Sequence, residues 1–398
     1  MNSDTAKTGT AAILVLGLLT AYGPVSIDMY LPALPAIASD LSATSEAAQR
    51  TLAVTFIGFA LGQLLMGPLS DRFGRRVVLV CGSVAYVLAS AGCALSSDID
   101  QMTWLRLCQA LAGSSGAVVS RAVVRDSFDK AEAAKVQSLI MMIMSAAPLL
   151  APFIGGYVLN WFGWRTIFWI LAAFGAVCIV AVALRLPESH PYDRRTTGSF
   201  LRVFHDYLQV LKNRQAVGYI LTGSFAFAGM FAFFAGSPFV YIKIYGIAPE
   251  NYGFLFGANV VLMVVFSYLN SRIVVRVGTQ KMLLIGTSVI AASGLVLLFN
   301  AYSGFGGLMG IFIPILGCVG TLAMVGANSV ANTLSYFTTI AGTASAVFGA
   351  IQFGSGAIAA GLVGLLDDGT AMPMAIVMAG CGLSSLAAFL FVVKRENN

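Results

Sequence analysis

Residues 67–76 read Gly67-Pro68-Leu69-Ser70-Asp71-Arg72-Phe73-Gly74-Arg75-Arg76 and form a charged island between two long apolar runs. A related stretch returns later as Ser271-Arg272-Ile273-Val274-Val275-Arg276-Val277-Gly278. When Arg72 is aligned with Arg276 and Gly74 with Gly278, Val275 replaces the acid and the chain divides into two similar halves. Two parallel repeats around a midplane cavity are an architecture of secondary transporters, so the repeat favours that class.

The composition around these two stretches is that of a membrane protein. Of the 398 residues, 58% are hydrophobic and only 10% are charged, and the mean hydropathy is +0.85. A soluble protein carries roughly 25% charged residues. A chain with this composition has more apolar surface than a folded soluble protein can bury, so it is expected to reside in a lipid bilayer.

Apolar runs long enough to cross a membrane occur repeatedly. A span needs about 20 residues to cross a hydrocarbon core of about 30 Å, and runs this long are helices rather than barrel strands. Twelve such runs lie near 11–34, 47–69, 77–96, 101–124, 136–160, 164–186, 215–240, 250–272, 280–301, 305–332, 339–366 and 371–393. We read the first run as a retained span rather than a cleaved leader.

These runs predict an all-α membrane protein with twelve transmembrane helices in two pseudo-symmetric six-helix bundles. The N-terminal bundle is expected at residues 1–186, a cytoplasmic connecting loop at 187–213 and the C-terminal bundle at 214–398.

The positive charges predict the orientation. Of the 23 Lys and Arg residues, only Arg50, Arg106, Arg165 and Lys243 fall on or near the outer side when the N-terminus is cytoplasmic. Because cytoplasmic loops collect Lys and Arg, both termini are expected in the cytoplasm, in a bacterial inner membrane. The net charge of +6 is explained by the basic residues that set this orientation. No nucleic-acid partner is therefore predicted.

The metal-binding residue types do not cluster. The six cysteines all fall inside apolar runs without C-x-x-C spacing, and His190 and His205 both lie in the polar connection. This pattern predicts neither a disulfide framework nor a zinc site. No P-loop lysine motif is present, so ATP is not expected to drive the protein, and no metal, other cofactor or catalytic residue is predicted.

The chain resembles the major facilitator superfamily over its whole length. The segment 67–76 is similar to the signature between helices 2 and 3 of that family. Predicted span 4 carries Arg106-Leu107-Cys108-Gln109, similar to the Arg-x-x-Gln of the proton-coupled branches, with Ala110 where glycine is usual. Predicted span 5 carries Ala147-Pro148-Leu149-Leu150-Ala151-Pro152-Phe153-Ile154-Gly155-Gly156, similar to the antiporter signature, with alanines replacing its first two glycines.

Two further stretches narrow the resemblance. Predicted span 1 carries Ser26-Ile27-Asp28-Met29-Tyr30-Leu31-Pro32-Ala33-Leu34-Pro35, and predicted span 7 carries Gly236-Ser237-Pro238-Phe239-Val240-Tyr241. Both resemble the Bcr/CflA drug-resistance exporters, which include bicyclomycin and chloramphenicol-type efflux proteins. The resemblance implies a monomeric drug:proton antiporter that exchanges a small drug-like molecule for protons by alternating access.

Asp28 is the deepest acidic residue in any predicted span, and such a charge needs a partner or a purpose. Predicted span 4 enters the membrane from the outer side, and Arg106 lies on it at a depth similar to that of Asp28. We therefore predict that the two residues form a pair that couples proton movement to export. A structural ion pair between spans 1 and 4 is the alternative. Arg106 would keep Asp28 from being permanently protonated.

The charged island predicts a conformational latch. Asp71 near a helix N-terminus, or near Arg125, would stabilise one conformation and release in another. A solvated topology anchor is the alternative. The expected latch residues are Gly67, Asp71, Arg72, Gly74, Arg75 and Arg125. On span 5, Pro148 and Pro152 share a face and would bend the helix, next to Gly155 and Gly156 of the antiporter motif.

Adaptable methionines, aromatics and scattered amides predict an apolar substrate cavity with few polar anchors. The expected lining residues are Tyr30, Phe56, Gln109, Met141, Met144, Phe227, Met230, Phe231, Phe234, Asn259, Asn328 and Gln352. A proton-coupled transporter of an amino acid, peptide or sugar is the nearest alternative function, followed by a channel. A membrane enzyme is disfavoured because Asp367-Asp368 is an isolated acidic pair.

Overall fold

The computed structural model describes residues 3–195, 200–337 and 340–393, and within them the chain forms helices and no strand. Among these residues, twelve helices are long and apolar enough to cross a membrane, which confirms the predicted all-α fold. They are called spans 1 to 12 and are Ala12–Asp40, Ser45–Phe73, Arg75–Leu95, Ile99–Ser127, Lys135–Phe162, Trp164–Arg185, Arg214–Ile244, Pro249–Val277, Thr279–Ser303, Gly307–Ser335, Ala341–Leu365 and Met372–Val392. Lys394 and Arg395 of the charge count lie outside the described residues.

Spans 1–6 are called the N-half and spans 7–12 the C-half. The side on which span 1 begins and span 12 ends is called the termini side, and the opposite side is called the far side. Because the spans alternate in direction, span 2 ends on the termini side at Phe73 and span 8 ends there at Val277.

The repeated island forms the same tight turn in both halves. Span 2 ends and span 3 begins at Gly74, with φ of 98°, and span 8 ends and span 9 begins at Gly278, with φ of 86°. Only glycine adopts this backbone region without steric cost, so one residue suffices to reverse the chain.

Span 1 is interrupted next to Asp28. Its helix Tyr22–Asp28 is followed by a turn, a short 3-10 helix Leu31–Ala33 and a helix Leu34–Asp40. Pro32 has no N–H to donate to a preceding carbonyl, and the Tyr30 N–H donates to the Ile27 carbonyl at 3.2 Å instead of to that of Ser26. The break therefore leaves the Ser26 carbonyl available to another donor.

Two further spans depart from a regular helix. Span 7 is an α-helix over Arg214–Pro238 and continues as a π-helix over Phe239–Ile244. Span 10 consists of two helices, Gly307–Gly320 and Leu322–Ser335. Pro238 ends the α-helical part of span 7 because its nitrogen carries no hydrogen.

Two pairs of spans form most of the contact between the two halves. Spans 2 and 11 pack along their length, with Gly364 beside Gln49 on the far side and Gly349 beside Gln63 on the termini side. Spans 5 and 8 pack at the far side, where a Cβ at Gly257 would lie 3.3 Å from Leu149.

The predicted connecting loop contains a helix over Phe200–Lys212, called the connecting helix. Its Tyr207 hydroxyl donates to the Leu64 carbonyl of span 2 at 2.8 Å. Val210 is fully buried in a cluster with Ala216 of span 7 and Val347 of span 11. The connection therefore touches both halves.

Candidate functional site

A cavity of about 630 Å³ lies between the two halves. Its wall comes from spans 1, 5, 7, 8, 10 and 11, and most of the side chains on it are apolar. On span 8 the wall runs from Phe256 to Ser271, which is about 22 Å along the helix. The cavity therefore extends from the level of Asp28 toward the termini side.

The far end of the cavity is closed by backbone contacts of span 5. A Cβ at Gly155 would overlap the carbonyl oxygen of Met29, at the break in span 1. A Cβ at Gly156 would overlap the carbonyl oxygen of Pro249 and lie 2.9 Å from the Glu250 Cα, at the start of span 8. Only glycine permits an approach this close, so Gly156 brings the two halves together at this point.

Many of the residues predicted for the cavity lie on its wall. These are Met144, Phe227, Met230, Phe231, Phe234, Asn259 and Gln352. Pro148 of the antiporter motif also lines it. The Phe231 ring stacks on Phe353 of span 11 with centroids 5.5 Å apart, so aromatic faces from two spans form one surface.

Other predicted lining residues lie away from the wall of this cavity in this structure. The Tyr30 hydroxyl pairs with Thr51, and the Gln109 amide donates to Ser90 at 2.7 Å, both inside the N-half. Asn328 donates to Asn270 at 2.8 Å between spans 10 and 8. Each of these polar side chains thus finds its hydrogen-bond partner within its own half.

The last two misplaced residues have apolar side chains. Phe56 packs behind the wall, with its ring centroid 4.3 Å from that of Phe231. Met141 is 60% exposed and does not contribute to the wall.

The wall also contains residues that the sequence analysis missed. Phe233, Phe256, Met263 and Phe353 are the clearest. On span 8 the signal was present as helical spacing, because Phe256, Asn259, Val260, Met263 and Ser267 recur every three or four residues on one face.

Asp28 lies on the wall with only 3% of its surface exposed. Among the described residues no Lys, Arg or His nitrogen forms an ion pair with it within 4.0 Å. Its neighbours on the wall are apolar residues of span 1, Pro24 and Ile27. A carboxyl group therefore faces an aromatic cavity without a cation beside it.

The predicted ion pair of Asp28 with Arg106 is not formed. Arg106 is fully buried inside the N-half, where one guanidinium nitrogen donates to the Ser26 carbonyl at 3.2 Å and to Gln109 at 2.5 Å. Its guanidinium carbon lies 4.4 Å from the Tyr30 ring centroid, a cation–π contact.

The reason is the direction in which span 1 presents its side chains. Ser26 faces the interior of the N-half, where its hydroxyl pairs with the Tyr86 hydroxyl at 2.5 Å. Asp28 is two residues further, about 200° around the helix, and therefore faces the cavity. Arg106 reaches the backbone of the same turn from the other side.

The charged island is held together by Arg75, whose side chain is 3% exposed. It pairs with Asp71 at 2.6 Å and with Asp126 of span 4 at 3.0 Å, and donates to Ser70 at 2.6 Å. Arg125 lies 3.7 Å from Asp126. Within the described part of the chain, Arg125, the predicted partner of Asp71, is thus linked to it through Asp126 and Arg75 and not directly.

The remaining predicted latch residues lie near the ion pairs of Arg75. Gly67 accepts from the Ser70 hydroxyl at 2.8 Å through its carbonyl, and the Arg72 guanidinium lies 5.8 Å from the Phe73 ring. A Cβ at Gly342, in the first turn of span 11, would lie 3.4 Å from Arg125. Arg125 therefore lies at the boundary with the C-half.

Glu188 was missed by the sequence analysis. It follows span 6, and its carboxylate accepts from the backbone N–H groups of Arg75 at 2.9 Å and Arg76 at 3.2 Å. The first N–H groups of a helix have no carbonyl partner within the helix, and a negative charge is favoured beside them. Glu188 supplies both the acceptor and the charge at the start of span 3. The connection after span 6 is thereby fastened to the island.

Comparison with known proteins agrees with this architecture. A family model described as Major Facilitator Superfamily matches residues 14–361. The chain is 34% identical over 384 residues to a bicyclomycin resistance protein homolog of Haemophilus influenzae, covering 96% of each chain. It is 31% identical over 377 residues to a chloramphenicol resistance protein of Pseudomonas aeruginosa, covering 92% of this chain and 87% of the relative. A crystal structure of a D-xylose-proton symporter shares the fold, with a TM-score of 0.74 at 19% identity and coverage of 98% and 97%.

Proposed function

Because the chain belongs to the major facilitator superfamily, and its named relatives include drug-resistance proteins, we propose that it exports small drug-like molecules in exchange for protons. Export would proceed by alternating access, in which the two halves expose the cavity to one side of the membrane and then to the other. The membrane would be the bacterial inner membrane, with both termini in the cytoplasm.

The observation that carries this proposal is Asp28 on the wall of the aromatic cavity. A charged carboxylate in apolar surroundings without a paired cation is costly, and taking up a proton removes the cost. Proton binding and substrate binding would therefore involve the same space. A substrate that binds after Asp28 has released its proton to the cytoplasm, and leaves when Asp28 takes up a proton on the outer side, exchanges for that proton.

Arg106 would act on this carboxyl group through the backbone of span 1. Its contact with the Ser26 carbonyl fixes the turn that carries Asp28. In the proposed cycle, Arg106 sets the position of Asp28 rather than neutralising its charge in this conformation.

The wall indicates the chemistry of the substrate. Phenylalanines of spans 7, 8 and 11 surround the cavity, and the amides of Asn259 and Gln352 are among its few polar groups. Such a surface suits a lipophilic molecule with a small number of hydrogen-bonding groups. A sugar would leave many hydroxyl groups without partners here, so the cavity favours a drug-like substrate over the metabolite alternative.

The proposal is tested in proteoliposomes without ATP, with radiolabelled chloramphenicol and bicyclomycin as probes. We expect a pH gradient to drive at least one probe against its concentration gradient and opposite to proton flow. Accumulation at the full rate with pH gradient and membrane potential both collapsed would refute proton coupling. Movement in the same direction as the proton would identify an uptake symporter, and purely downhill movement of a probe would identify a channel.

Arg75 is expected to control the rate at which the protein exchanges between its two alternating-access conformations. Arg75→Ala removes both ion pairs and leaves Asp126, whose side chain is 16% exposed, with Arg125 alone. Breaking a buried pair costs about 3–5 kcal/mol, so turnover should fall about tenfold or more, while binding of chloramphenicol in the cavity stays within about twofold.

Arg76→Ala is the matched control, because this neighbouring side chain donates to the Ala183 carbonyl and forms no ion pair with a described residue. Turnover and binding are measured on the same folded preparation. Equal losses in both quantities for Arg75→Ala would indicate general destabilisation and contradict the latch.

The orientation predicts that residues 100 and 193 lie on opposite sides of the membrane. Asp100 lies at the start of span 4 on the far side, and Asp193 follows span 6 on the termini side, and both are exposed. In intact cells, a membrane-impermeant thiol reagent should label a cysteine at position 100 and not one at position 193. Labelling of both from outside would contradict the predicted topology.

A further inference from the structure

The connecting helix divides its surface into three stripes. Val203, Tyr207 and Val210 follow one another at helical spacing and are half-buried or buried against the protein. The next stripe, turned by about 100°, consists of Phe204, Leu208 and Leu211. These side chains are 66%, 53% and 46% exposed, although each is strongly apolar.

The third stripe is turned by about another 100° and is polar. It consists of His205, Gln209 and Lys212, all exposed. The helix thus presents a protein face, an apolar exposed face and a polar exposed face in that order around its axis. This order is typical of a helix that lies in the boundary between lipid and water.

The position of the helix agrees with its pattern. Tyr207 donates to the Leu64 carbonyl, which lies nine residues before the end of span 2 at Phe73, about 13 Å along the helix. Burial raises the pKa of Tyr207 to about 12, so its hydroxyl keeps the proton that it donates. The helix is therefore held beside the ends of the spans rather than away from them.

We propose that the connecting helix lies in the headgroup layer of the membrane leaflet on the termini side, with the stripe of Phe204, Leu208 and Leu211 at the acyl boundary. The apolar surface of span 2 continues next to it, where Leu61 and Leu65 are each 43% exposed. The stripe thus extends a surface that already belongs to lipid.

The charges identify the lipid class. Lys212 ends the connecting helix and Arg214 begins span 7, and both side chains are exposed. The described side chains of the helix include one acid, Asp206, which is half-buried. Two exposed cations at the level of the headgroups attract phospholipids with a net negative charge.

This contact has a consequence for the whole molecule. Through Tyr207 the helix holds span 2, and through Val210 it packs on spans 7 and 11. A lipid-bound helix therefore attaches both halves to one leaflet. The inference does not depend on which substrate the cavity takes or on proton coupling.

The test uses a nitroxide spin label in the full chain, with the six native cysteines replaced by serine, in nanodiscs containing phosphatidylglycerol. Leu208→Cys carries the label on the apolar stripe, and Gln209→Cys is the matched control one residue away on the polar stripe. We expect oxygen collisions, relative to those of a water-soluble nickel complex, to be several-fold more frequent at position 208. Equal, water-like accessibility at both positions would overturn the proposal.

A second arm tests the charge of the lipid. In nanodiscs of phosphatidylcholine alone, the collision ratio at position 208 should fall toward that at position 209. The double variant Lys212→Gln and Arg214→Gln should show the same fall even with phosphatidylglycerol present. A ratio at position 208 that changes in neither experiment would overturn the assignment of an anionic lipid. Size-exclusion profiles and labelling yields confirm that each variant is folded.

Discussion

Replacing Asp28 with asparagine is expected to abolish uphill, pH-driven export of chloramphenicol. The amide has nearly the size of the carboxyl group but cannot take up and release a proton, so the gradient has no group to act on. Binding of the neutral drug in the cavity should persist and should depend less on pH than in the parent protein. Asp28→Glu keeps the acid and should retain part of the activity.

The structure also predicts that Asp28→Asn folds well. Because Arg106 donates its hydrogen bonds to Ser26 and Gln109, the substitution does not take an ion-pair partner away from it. An uncharged group in this apolar site should leave the free energy of unfolding unchanged or raise it. Thermal stability in detergent checks this expectation separately from transport.

The measurement is concentrative efflux in proteoliposomes, normalised to folded protein, with Asp100→Asn as the control. Asp100 is an exposed aspartate at the start of span 4, and its replacement should leave the driving force intact. If Asp28→Asn still concentrates chloramphenicol against its gradient, another group carries the proton and Asp28 only shapes the cavity.

Gly156→Ala is expected to open the far side of the cavity. The new methyl group would meet the backbone of Pro249 and Glu250, which cannot move aside as a flexible side chain can. Overpacking of this kind costs about 1–3 kcal/mol, which shifts the equilibrium away from the closed far side by about 5–150-fold. Export should fall because the cavity can no longer be sealed on that side.

The shift is measured with a cysteine at Ile27, on the cavity wall, which a membrane-impermeant thiol reagent reaches from the far side when that side opens. Gly361→Ala is the matched control, since it is a glycine within a spanning helix and no described atom lies within 4 Å of the position that its new methyl group would take. Labelling rates that rise equally in both variants, or in neither, would contradict the role of Gly156 as the contact that closes the far side.

The sequence placed Asp28 and Arg106 at the same depth, but the ion pair that it predicted between them is not formed. Counting residues along a span gives the axial position, and both residues indeed belong to the same level. The direction around the helix depends on which neighbours each face meets. Ser26 and Asp28 face opposite sides of the same helix, so depth alone could not show which of them Arg106 approaches.

The cavity wall shows the same limit. The aromatic and methionine residues predicted on span 7 lie on the wall, because one side of that span faces the cavity. Tyr30, Gln109 and Asn328 lie away from this wall, because Thr51, Ser90 and Asn270 pair with them from other spans. Such partners are distant in sequence and leave no local signal.

Glu188 illustrates the longest of these distances. It caps the start of span 3 from 113 positions away, after three intervening spans. Nothing in the sequence next to either partner indicates the contact. The family motif identified the charged island, but only the three-dimensional fold shows that Glu188 binds to it.

The two copies of the island turn are mechanically unequal. At Gly74 a Cβ would lie 2.6 Å from a Glu188 carboxylate oxygen and 2.8 Å from an Arg195 nitrogen, whereas no described atom comes within 4 Å of one at Gly278. The turn between spans 2 and 3 is therefore tightly packed, and the turn between spans 8 and 9 has free space around it. If the halves rock as proposed, we expect the chain to bend more readily at Gly278 than at Gly74, so that the pseudo-symmetric molecule would move asymmetrically.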